Sequence, residues 1–312
     1  MYSWAPSNGL IENHRQRIEA KKFQLDELRP LPVNVLEKLE QEMSIEWTYN
    51  SNAIEGNTLT LNETKVVLEQ GITIGGKTLK EHFEIINHQN AIQWLQDRVS
   101  KKLKFQSQDL LTLHSWIMKG IDDQHSGRFR TGRVQITGAN FIPPNPLKVP
   151  ELIDELVHWM NENPQKLDPV ALAAAFHHRL VWIHPFFDGN GRTGRLAINL
   201  LLMQFGFPPL VILKVDRLKY YRALNSANLG EWEKLFLLFF QGMEKSLDRF
   251  INAVKPTSND DYLPLSQIAE DPQIGYGQEY LSLLARRGKI EAFKEGRVWY
   301  STKSAIVHYF KN

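Results

Sequence analysis

The sequence predicts an all-α fold for most of the chain, with one β-hairpin and a small C-terminal unit of helices and strands. Two observations support this prediction. Apolar residues recur at steps of three and four through long stretches of the 312-residue chain. Strand-like patterns are confined to residues 127–146 and to the last fifty residues.

The first predicted helix covers residues 33–50, where Leu36, Leu39, Met43 and Trp47 follow the helical repeat. A short helix follows, with Asn62 as its expected cap. Further helices are predicted at residues 77–99, about 110–117, 150–163, 168–183, about 192–205 and 231–253. Helices packed on helices are the expected architecture.

Residues 127–146 predict a hairpin. Val134 and Ile136 precede a turn at residues 137–140, and prolines end the segment. A hairpin in a helical domain has open strand edges, to which a peptide could add. A purely stabilising loop is the alternative, and the local sequence does not decide between the two.

Residues 254–261 are polar and contain a proline, which indicates a linker. After it, two short helices and two short strands around Glu295-Gly296 predict a winged helix-turn-helix domain at residues 262–312. This segment holds seven Lys and Arg against five Asp and Glu. DNA contact and protein docking both remain open for it. The residues that could face phosphates are Gln278, Arg286, Arg287, Lys289, Lys294 and Arg297.

The composition excludes several classes of protein. The chain has no cysteine, which rules out disulfides, cysteine metal sites and a cysteine nucleophile. The adjacent His177 and His178 diverge by about 100° on a helix and are not expected to share a metal ion. A formal charge of +2 argues against a whole-chain polyanion binder. No secretory signal or membrane span is apparent, so a cytoplasmic protein is expected.

Residues 71–78, GITIGGKT, fit the pattern of a phosphate-binding P-loop. A P-loop must follow a strand in an α/β sheet, whereas LNETKVVLEQ before this segment predicts a helix. A turn between two helices, with Gly71 as a helix cap, is the preferred interpretation.

The strongest chemical signal is the segment HPFFDGNGRTGR at residues 184–195. Glycines on either side of Asn190 allow a tight loop before a helix N-terminus, which makes an anion site. Arg192 and Arg195 share one helix face and can both hold phosphate oxygens. Asp188 offers a carboxylate to Mg²⁺, and His184 is the natural general base.

This segment matches the Fic motif, HPFx[D/E]GNGRxxR, at every defined position, so the chain resembles the Fic family. The resemblance implies a Fic helical core at residues 101–253, after an N-terminal helical region at 1–100. It also implies transfer of AMP from ATP, with Mg²⁺, to a Ser, Thr or Tyr hydroxyl of a target protein, or of this protein itself. His184 would be the base and Asp188 the metal ligand. The implied nucleotide-binding residues are Gly189, Asn190, Gly191, Arg192, Thr193, Gly194, Arg195, Tyr221 and Asn225. Among these, Asn190 is expected to stabilise the α-phosphate, Arg192 to meet the β-phosphate and Arg195 the γ-phosphate. The implied target-docking flap is Val134, Gln135, Ile136, Thr137 and Gly138.

Ser51 and Glu55 match the inhibitory motif of the same family, [S/T]xxxE[G/N]. The resemblance implies that Glu55 pairs with Arg195 and blocks the γ-phosphate. In some relatives this glutamate instead orients a water that removes AMP. Adding AMP, removing it or both therefore remain open, as do other nucleotides, a homodimer and a DNA-binding regulator with a vestigial catalytic domain.

Overall fold

The computed structural model describes residues 9–31, 33–136, 138–139, 141–254 and 262–311. The chain divides into two compact units, residues 1–254 and 255–312. The described part is mostly helical, as predicted. Ten helices belong to the first unit: α1 (Gly9–Glu27), α2 (Val33–Ile54), α3 (Leu61–Gln70), α4 (Leu79–Ser100), α5 (Ser107–Met118), α6 (Val149–Glu162), α7 (Pro169–Ile183), α8 (Asn190–Gln204), α9 (Arg217–Asn228) and α10 (Glu233–Val254).

The centre of the first unit is formed by α7 and α8. The sequence of α7, PVALAAAFHHRLVWI, is largely apolar, and that of α8, NGRTGRLAINLLLMQ, becomes largely apolar after Arg195. Most side chains of both helices are buried. A helix that is apolar all round needs neighbours on every face. Accordingly α6 and α10 pack against α7, α4 and α5 pack against α8, and α2 contacts both α4 and α8.

Helix α1 was not predicted from the sequence. This helix has one buried apolar residue in about every two turns, at Ile11, Ile18 and Leu25. Ion pairs add to the attachment of α1 to α10, among them Arg17 with Glu244 at 2.5 Å. The contact combines widely spaced apolar residues with ion pairs, which is why the apolar pattern of the sequence is weak.

The segment that resembles a P-loop is a turn between two helices, as preferred above. Gly71 ends α3 in a left-handed conformation, with φ of 68°, and Thr78 caps α4. The expected cap of α3 is corrected, since Thr60 rather than Asn62 accepts a hydrogen bond from the Glu63 N–H. Glu63 in turn accepts from the Thr60 N–H and so completes a capping box.

The predicted hairpin differs from what the structure describes. Residues 133–136 and 142–145 contain no assigned strand, and Thr137 and Asn140 lie outside the described residues. A backbone hydrogen bond from Ala139 N–H to Ile136 O marks a turn at the expected place. Phe141 stacks on Trp182 with ring centroids 5.9 Å apart, so side-chain packing on α7 holds this segment where a strand ladder was expected.

The second unit contains α11 (Leu265–Ala269), α12 (Gln278–Arg286), α13 (Lys303–Lys311) and three short strands. The strands are β1 (Leu263–Pro264), β2 (Ala292–Glu295) and β3 (Val298–Ser301), in the antiparallel order β1-β3-β2. The turn at Glu295-Gly296 joins β2 to β3 as predicted, with Lys294 opposite Trp299. The unit has its own apolar core, built around Leu265, Ile268, Leu281, Leu284 and Ile306.

Membrane insertion finds no support in the described helices, none of which has both the length and the apolar composition of a membrane-spanning segment.

Three buried histidines tie the first unit together in their neutral form. His177 bonds to the Tyr220 hydroxyl at 2.6 Å, and His178 bonds to Asn228 at 2.8 Å. These separate partners agree with the expectation that the two do not share a metal ion. Burial lowers the pKa of His177 to about 3, and it lowers the pKa of both His178 and His114 to about 4.

We expect the free energy of unfolding to fall steeply as the pH drops from about 6.5 towards 4. An unfolded histidine has a pKa near 6.5, so near pH 5 these three histidines alone make the unfolded chain bind about three more protons than the folded chain. His88, whose pKa burial also lowers, adds to this difference. As the pH falls past 5, the free energy of unfolding therefore decreases by at least about 4 kcal/mol per pH unit. Urea unfolding at several pH values measures this slope. The variant His178→Gln should reduce it by about one proton, and a slope near zero in the parent would contradict the expectation.

Candidate active site

His184 stands at the C-terminal end of α7. Helix α7 ends at Ile183, and His184 takes a left-handed conformation because Pro185 disfavours a further helical turn. The ring Nδ1 donates to the carbonyl of Val181 at 3.3 Å, which leaves Nε2 with its lone pair. Burial lowers the pKa of His184 below its ordinary value, so the ring is neutral near pH 7 and can accept a proton.

The loop after His184 is held from two sides. The side-chain amide of Asn190 accepts from the Phe186 N–H and donates to the Phe186 carbonyl, both at 2.9 Å. His114 on α5 stacks on Phe186, and its Nε2 donates to the Asp188 carbonyl at 3.1 Å. Gly189 has φ of 73° and lies so close to α5 that a Cβ there would meet Met118 Sδ at 3.1 Å. Asn190 was expected to face a phosphate, but in this structure its side chain shapes the loop.

Arg130 is a buried residue that the sequence analysis missed. Its guanidinium donates to four carbonyls, those of His184 at 2.7 Å, Ile183 at 3.3 Å, Pro144 at 2.7 Å and Gly132 at 3.0 Å. Two of these belong to the end of α7, where the carbonyls have no partners within the helix. The arginine thereby fixes His184 against the 130–144 segment.

The start of α8 carries several buried N–H and O–H groups that make no hydrogen bond to any described residue. They are Arg192 Nε, Arg192 Nη1, Thr193 Oγ1 and Arg195 Nη1. Arg192 Nη1 forms an ion pair with Glu84, at 3.1 Å, without the geometry of a hydrogen bond. Gly191 keeps the helix start open, because a Cβ at this position would lie 2.9 Å from Arg195 Nη1. Buried donors of this kind are rare unless a ligand satisfies them, so this helix start is suited to an anion.

Glu55 occupies the space above Gly191, and together with Ser51 it binds Arg195. Arg195 Nη2 donates to Glu55 Oε1 and to the Ser51 carbonyl, both at 2.7 Å, and its Nε donates to Ser51 Oγ at 3.0 Å. Burial disfavours the charge of Arg195, but the Glu55 carboxylate outweighs it and raises the pKa of the guanidinium above its ordinary value. The structure therefore brings together the pair that the sequence predicted.

The end of α2, which Glu55 directly follows, is attached to the α9 side of the site. Arg217 Nε donates to the Ile54 carbonyl at 2.7 Å, and the Lys214 N–H donates to Asn50 Oδ1 at 2.8 Å. The guanidinium of Arg217 lies 5.1 Å from the ring centre of Tyr221. Tyr221 is half-buried, whereas Tyr220 is wholly buried against His177, so only Tyr221 keeps the exposure that a base-binding residue needs.

The remaining predicted residues lie around this centre. Asn225 Nδ2 donates to the Gly138 carbonyl at 3.1 Å and so joins α9 to the predicted flap. Within the flap, Val134 and Ile136 are half-buried, Gln135 is exposed and Thr137 is outside the described residues. Gly194 faces the core, where a Cβ would meet His177 at 3.1 Å. Its role is therefore close packing of α8 on α7.

The donor set around Asp188 fits a magnesium ion that is shared with phosphates. The side chain is 55% exposed at the edge of the loop. Among the described residues, no cluster of three His, Cys, Asp or Glu could hold a metal by itself. Mg²⁺ usually takes one or two carboxylates and completes its shell with water and substrate phosphates, so a single carboxylate is sufficient.

Comparisons with known proteins identify chains that are similar to this one. A Fic/DOC family model matches residues 104–202. The protein adenylyltransferase fic-1 of Caenorhabditis elegans is 35% identical over 256 residues, which are 81% of this chain and 50% of that protein. The chain spans about half the length of the curated relatives it matches.

Two solved structures share the fold. A fragment of Fic-1 from C. elegans has a TM-score of 0.69 and 34% identity, over 78% of this chain and 73% of that one. A Fic family protein from Desulfovibrio desulfuricans has a TM-score of 0.65 and 22% identity, over 96% of this chain and 97% of that one.

Arg130→Met should lower the free energy of unfolding by about 3 kcal/mol, because buried carbonyls at the end of α7 lose a charged donor. Urea unfolding of the variant and the parent measures the loss. Arg133→Met, on an exposed neighbour, is the matched control and should change stability by less than about 0.5 kcal/mol. Equal losses in the two variants would contradict the role assigned to Arg130.

Proposed function

We propose that this chain, which belongs to the Fic/DOC family, transfers AMP from ATP to a hydroxyl side chain of a protein. The observation that carries the proposal is the set of unpartnered buried donors at the start of α8, beside a neutral histidine. A triphosphate supplies the negative oxygens that such donors lack. The relatives named as protein adenylyltransferases support the same chemistry.

In the proposed reaction, His184 Nε2 takes the proton from the target hydroxyl. The resulting oxygen attacks the α-phosphorus, the bond from that phosphorus to the bridging oxygen breaks, and pyrophosphate leaves. Backbone N–H groups at the N-terminus of α8 and the two motif arginines stabilise charge on the phosphates. Asp188 would hold Mg²⁺, which when bound offsets charge on the α- and β-phosphates.

Glu55 acts as a brake on this reaction. Its Oε1 would lie only 2.1 Å from a Cβ on Gly191, so the carboxylate fills the space directly above the helix start. It also holds Arg195, the arginine proposed to meet the γ-phosphate. Since a carboxylate and a phosphate compete for the same guanidinium, ATP binds productively only after Glu55 has moved.

Removal of AMP is the second candidate for the same site. Glu55 Oε1 holds Arg195, while Oε2 makes no hydrogen bond to a described residue, and the side chain is 33% exposed. An oxygen placed in this way can orient a water against a modified hydroxyl. The target protein, self-modification and a homodimeric state stay predictions.

We expect Glu55→Gly to raise AMP transfer by about tenfold or more over the parent, which corresponds to at least about 1.4 kcal/mol. Intact mass spectrometry of the parent, Glu55→Gly and Glu55→Gly/His184→Ala after incubation with ATP and Mg²⁺ measures the mass gain. Glu55→Gly should gain much more AMP than the parent, in which Glu55 holds Arg195, and the double variant should gain none because it lacks the base. Parallel reactions with UTP and GTP test the nucleotide. Equal labelling of all three proteins would count against the proposal.

Removal of AMP is measured in a separate experiment. Labelled Glu55→Gly is freed of ATP and divided between parent protein, the His184→Ala variant and buffer. Loss of AMP with the parent alone would assign AMP removal to Glu55. Stable labelling in all three tubes would leave transfer as the activity.

For the second unit we propose a winged helix-turn-helix, with α12 as the helix that would enter a groove of DNA. This proposal rests on exposed polar and basic residues on α12 and elsewhere in the second unit. They are Gln278, Arg286, Arg287, Lys289, Lys294 and Arg297. A mobility-shift assay with a DNA duplex should show binding that weakens steeply with salt, and Arg286→Ala/Arg287→Ala should weaken it further. Failure to shift the duplex at low salt would favour protein docking instead.

A further inference from the structure

Arg192, the first arginine of the motif, is buried between two carboxylates that differ in exposure. Its Nη1 lies 3.1 Å from Glu84 Oε1, and its Nη2 lies 3.5 Å from Asp188 Oδ1. The Arg192 side chain is 3% exposed and that of Glu84 is 12% exposed. Asp188 was anticipated from the sequence, whereas Glu84, on α4, was not.

Glu84 is held in place by the turn that follows Glu55. Its Oε2 accepts from Asn57 Nδ2 at 2.9 Å, and the same Asn57 nitrogen donates to the Glu81 carbonyl at 3.0 Å. Asn57 Oδ1 accepts from the Leu59 N–H at 3.0 Å. Both polar ends of the asparagine are thus in use, so the carboxylate of Glu84 cannot swing away without breaking this network.

We infer that Glu84 is a positioning residue, which keeps Arg192 beside the glycine-rich loop with its Nε free for a β-phosphate. This inference rests on the proposed function. A buried guanidinium needs a counter-charge, and without Glu84 its nearest carboxylate is Asp188. Arg192 would then turn towards Asp188, the residue proposed to hold Mg²⁺, and its positive charge would lie farther from the phosphates.

Glu55 and Glu84 are expected to have opposite effects on nucleotide binding. Glu55 is one-third exposed, sits above Gly191 and must leave when a triphosphate arrives. Glu84 is fixed behind Arg192 and stays when the nucleotide binds. Loss of Glu55 therefore releases nucleotide binding, whereas loss of Glu84 weakens it.

The test measures nucleotide affinity by calorimetry in the Glu55→Gly protein. Glu84→Gln preserves the size of the side chain and an oxygen for Asn57, but it places an amide where Arg192 needs a carboxylate. We expect the Kd for ATP and for ADP to rise about tenfold and the Kd for AMP to stay unchanged, because AMP has no β-phosphate. Asp97→Asn, an exposed carboxylate on the same helix, is the matched control and should leave all three values unchanged.

A double-mutant cycle with Arg192→Ala tests whether Glu84 acts through that arginine. In the Arg192→Ala background, Glu84→Gln should change the Kd for ATP by less than about twofold. If Glu84→Gln folds poorly, Glu84→Asp keeps the charge, and the same selective loss for ATP and ADP is expected from its shorter reach.

Three results would overturn the inference. The first is an equal rise of the Kd for AMP and for ATP, which indicates general damage to the site. The second is tighter binding of ATP, which would make Glu84 a second brake. The third is an unchanged Kd for ATP. Failure of the Glu55→Gly parent itself to bind ATP would overturn the proposed function and this inference with it. If the Glu55→Gly parent binds ATP normally, a negative result with Glu84→Gln overturns only the inference about Glu84.

Discussion

The site depends on one requirement, which is that the charge of Arg195 must be balanced inside the protein. The guanidinium is almost wholly buried at the centre of the first unit, on a helix with apolar neighbours on nearly every face. An unpaired charge in such surroundings would cost several kcal/mol. In this structure the carboxylate of Glu55, with the hydroxyl and carbonyl of Ser51, supplies the balance. A triphosphate could supply it as well, and this equivalence is the physical basis of the proposed brake.

The rest of the first unit serves to keep the predicted site residues near that charge. α7 delivers His184 at its end, and α8 begins five residues after Pro185 with its N–H groups facing the same space. The loop between them is held by His114 from α5 and by the Arg130 guanidinium. The site is thus formed by two helix ends that meet, and each end has backbone groups that need partners.

The sequence was sufficient to predict the parts of the site that are contiguous. Residues 184–195 combine a base, a carboxylate, glycines and two arginines in one segment, and Ser51 and Glu55 are one helical turn apart. Glu84 and Arg130 were out of reach because they meet their partners only through the tertiary fold, and each has the sequence surroundings of an ordinary surface residue. Helix α1 was missed for a related reason, since its buried apolar residues are seven positions apart and ion pairs supply part of its contact with α10. The hairpin prediction relied on alternation in a segment that is held by aromatic packing instead.

The attachments on either side of Glu55 have a consequence for how quickly the proposed brake can be released. Ile54 is held through its carbonyl by Arg217, and Asn57 is held by α4, so the chain is anchored on both sides of the glutamate. Removing the carboxylate from Arg195 then requires only rotation about the side-chain bonds of Glu55, while Ser51 keeps its two hydrogen bonds to the guanidinium. Side-chain rotations of this kind take about picoseconds to nanoseconds at exposed positions, whereas enzyme turnover is usually limited to about 1–1,000 per second. Free and paired forms would interconvert many times within one catalytic cycle. The output of such an enzyme follows the equilibrium share of the free form, so that small energetic changes tune it continuously.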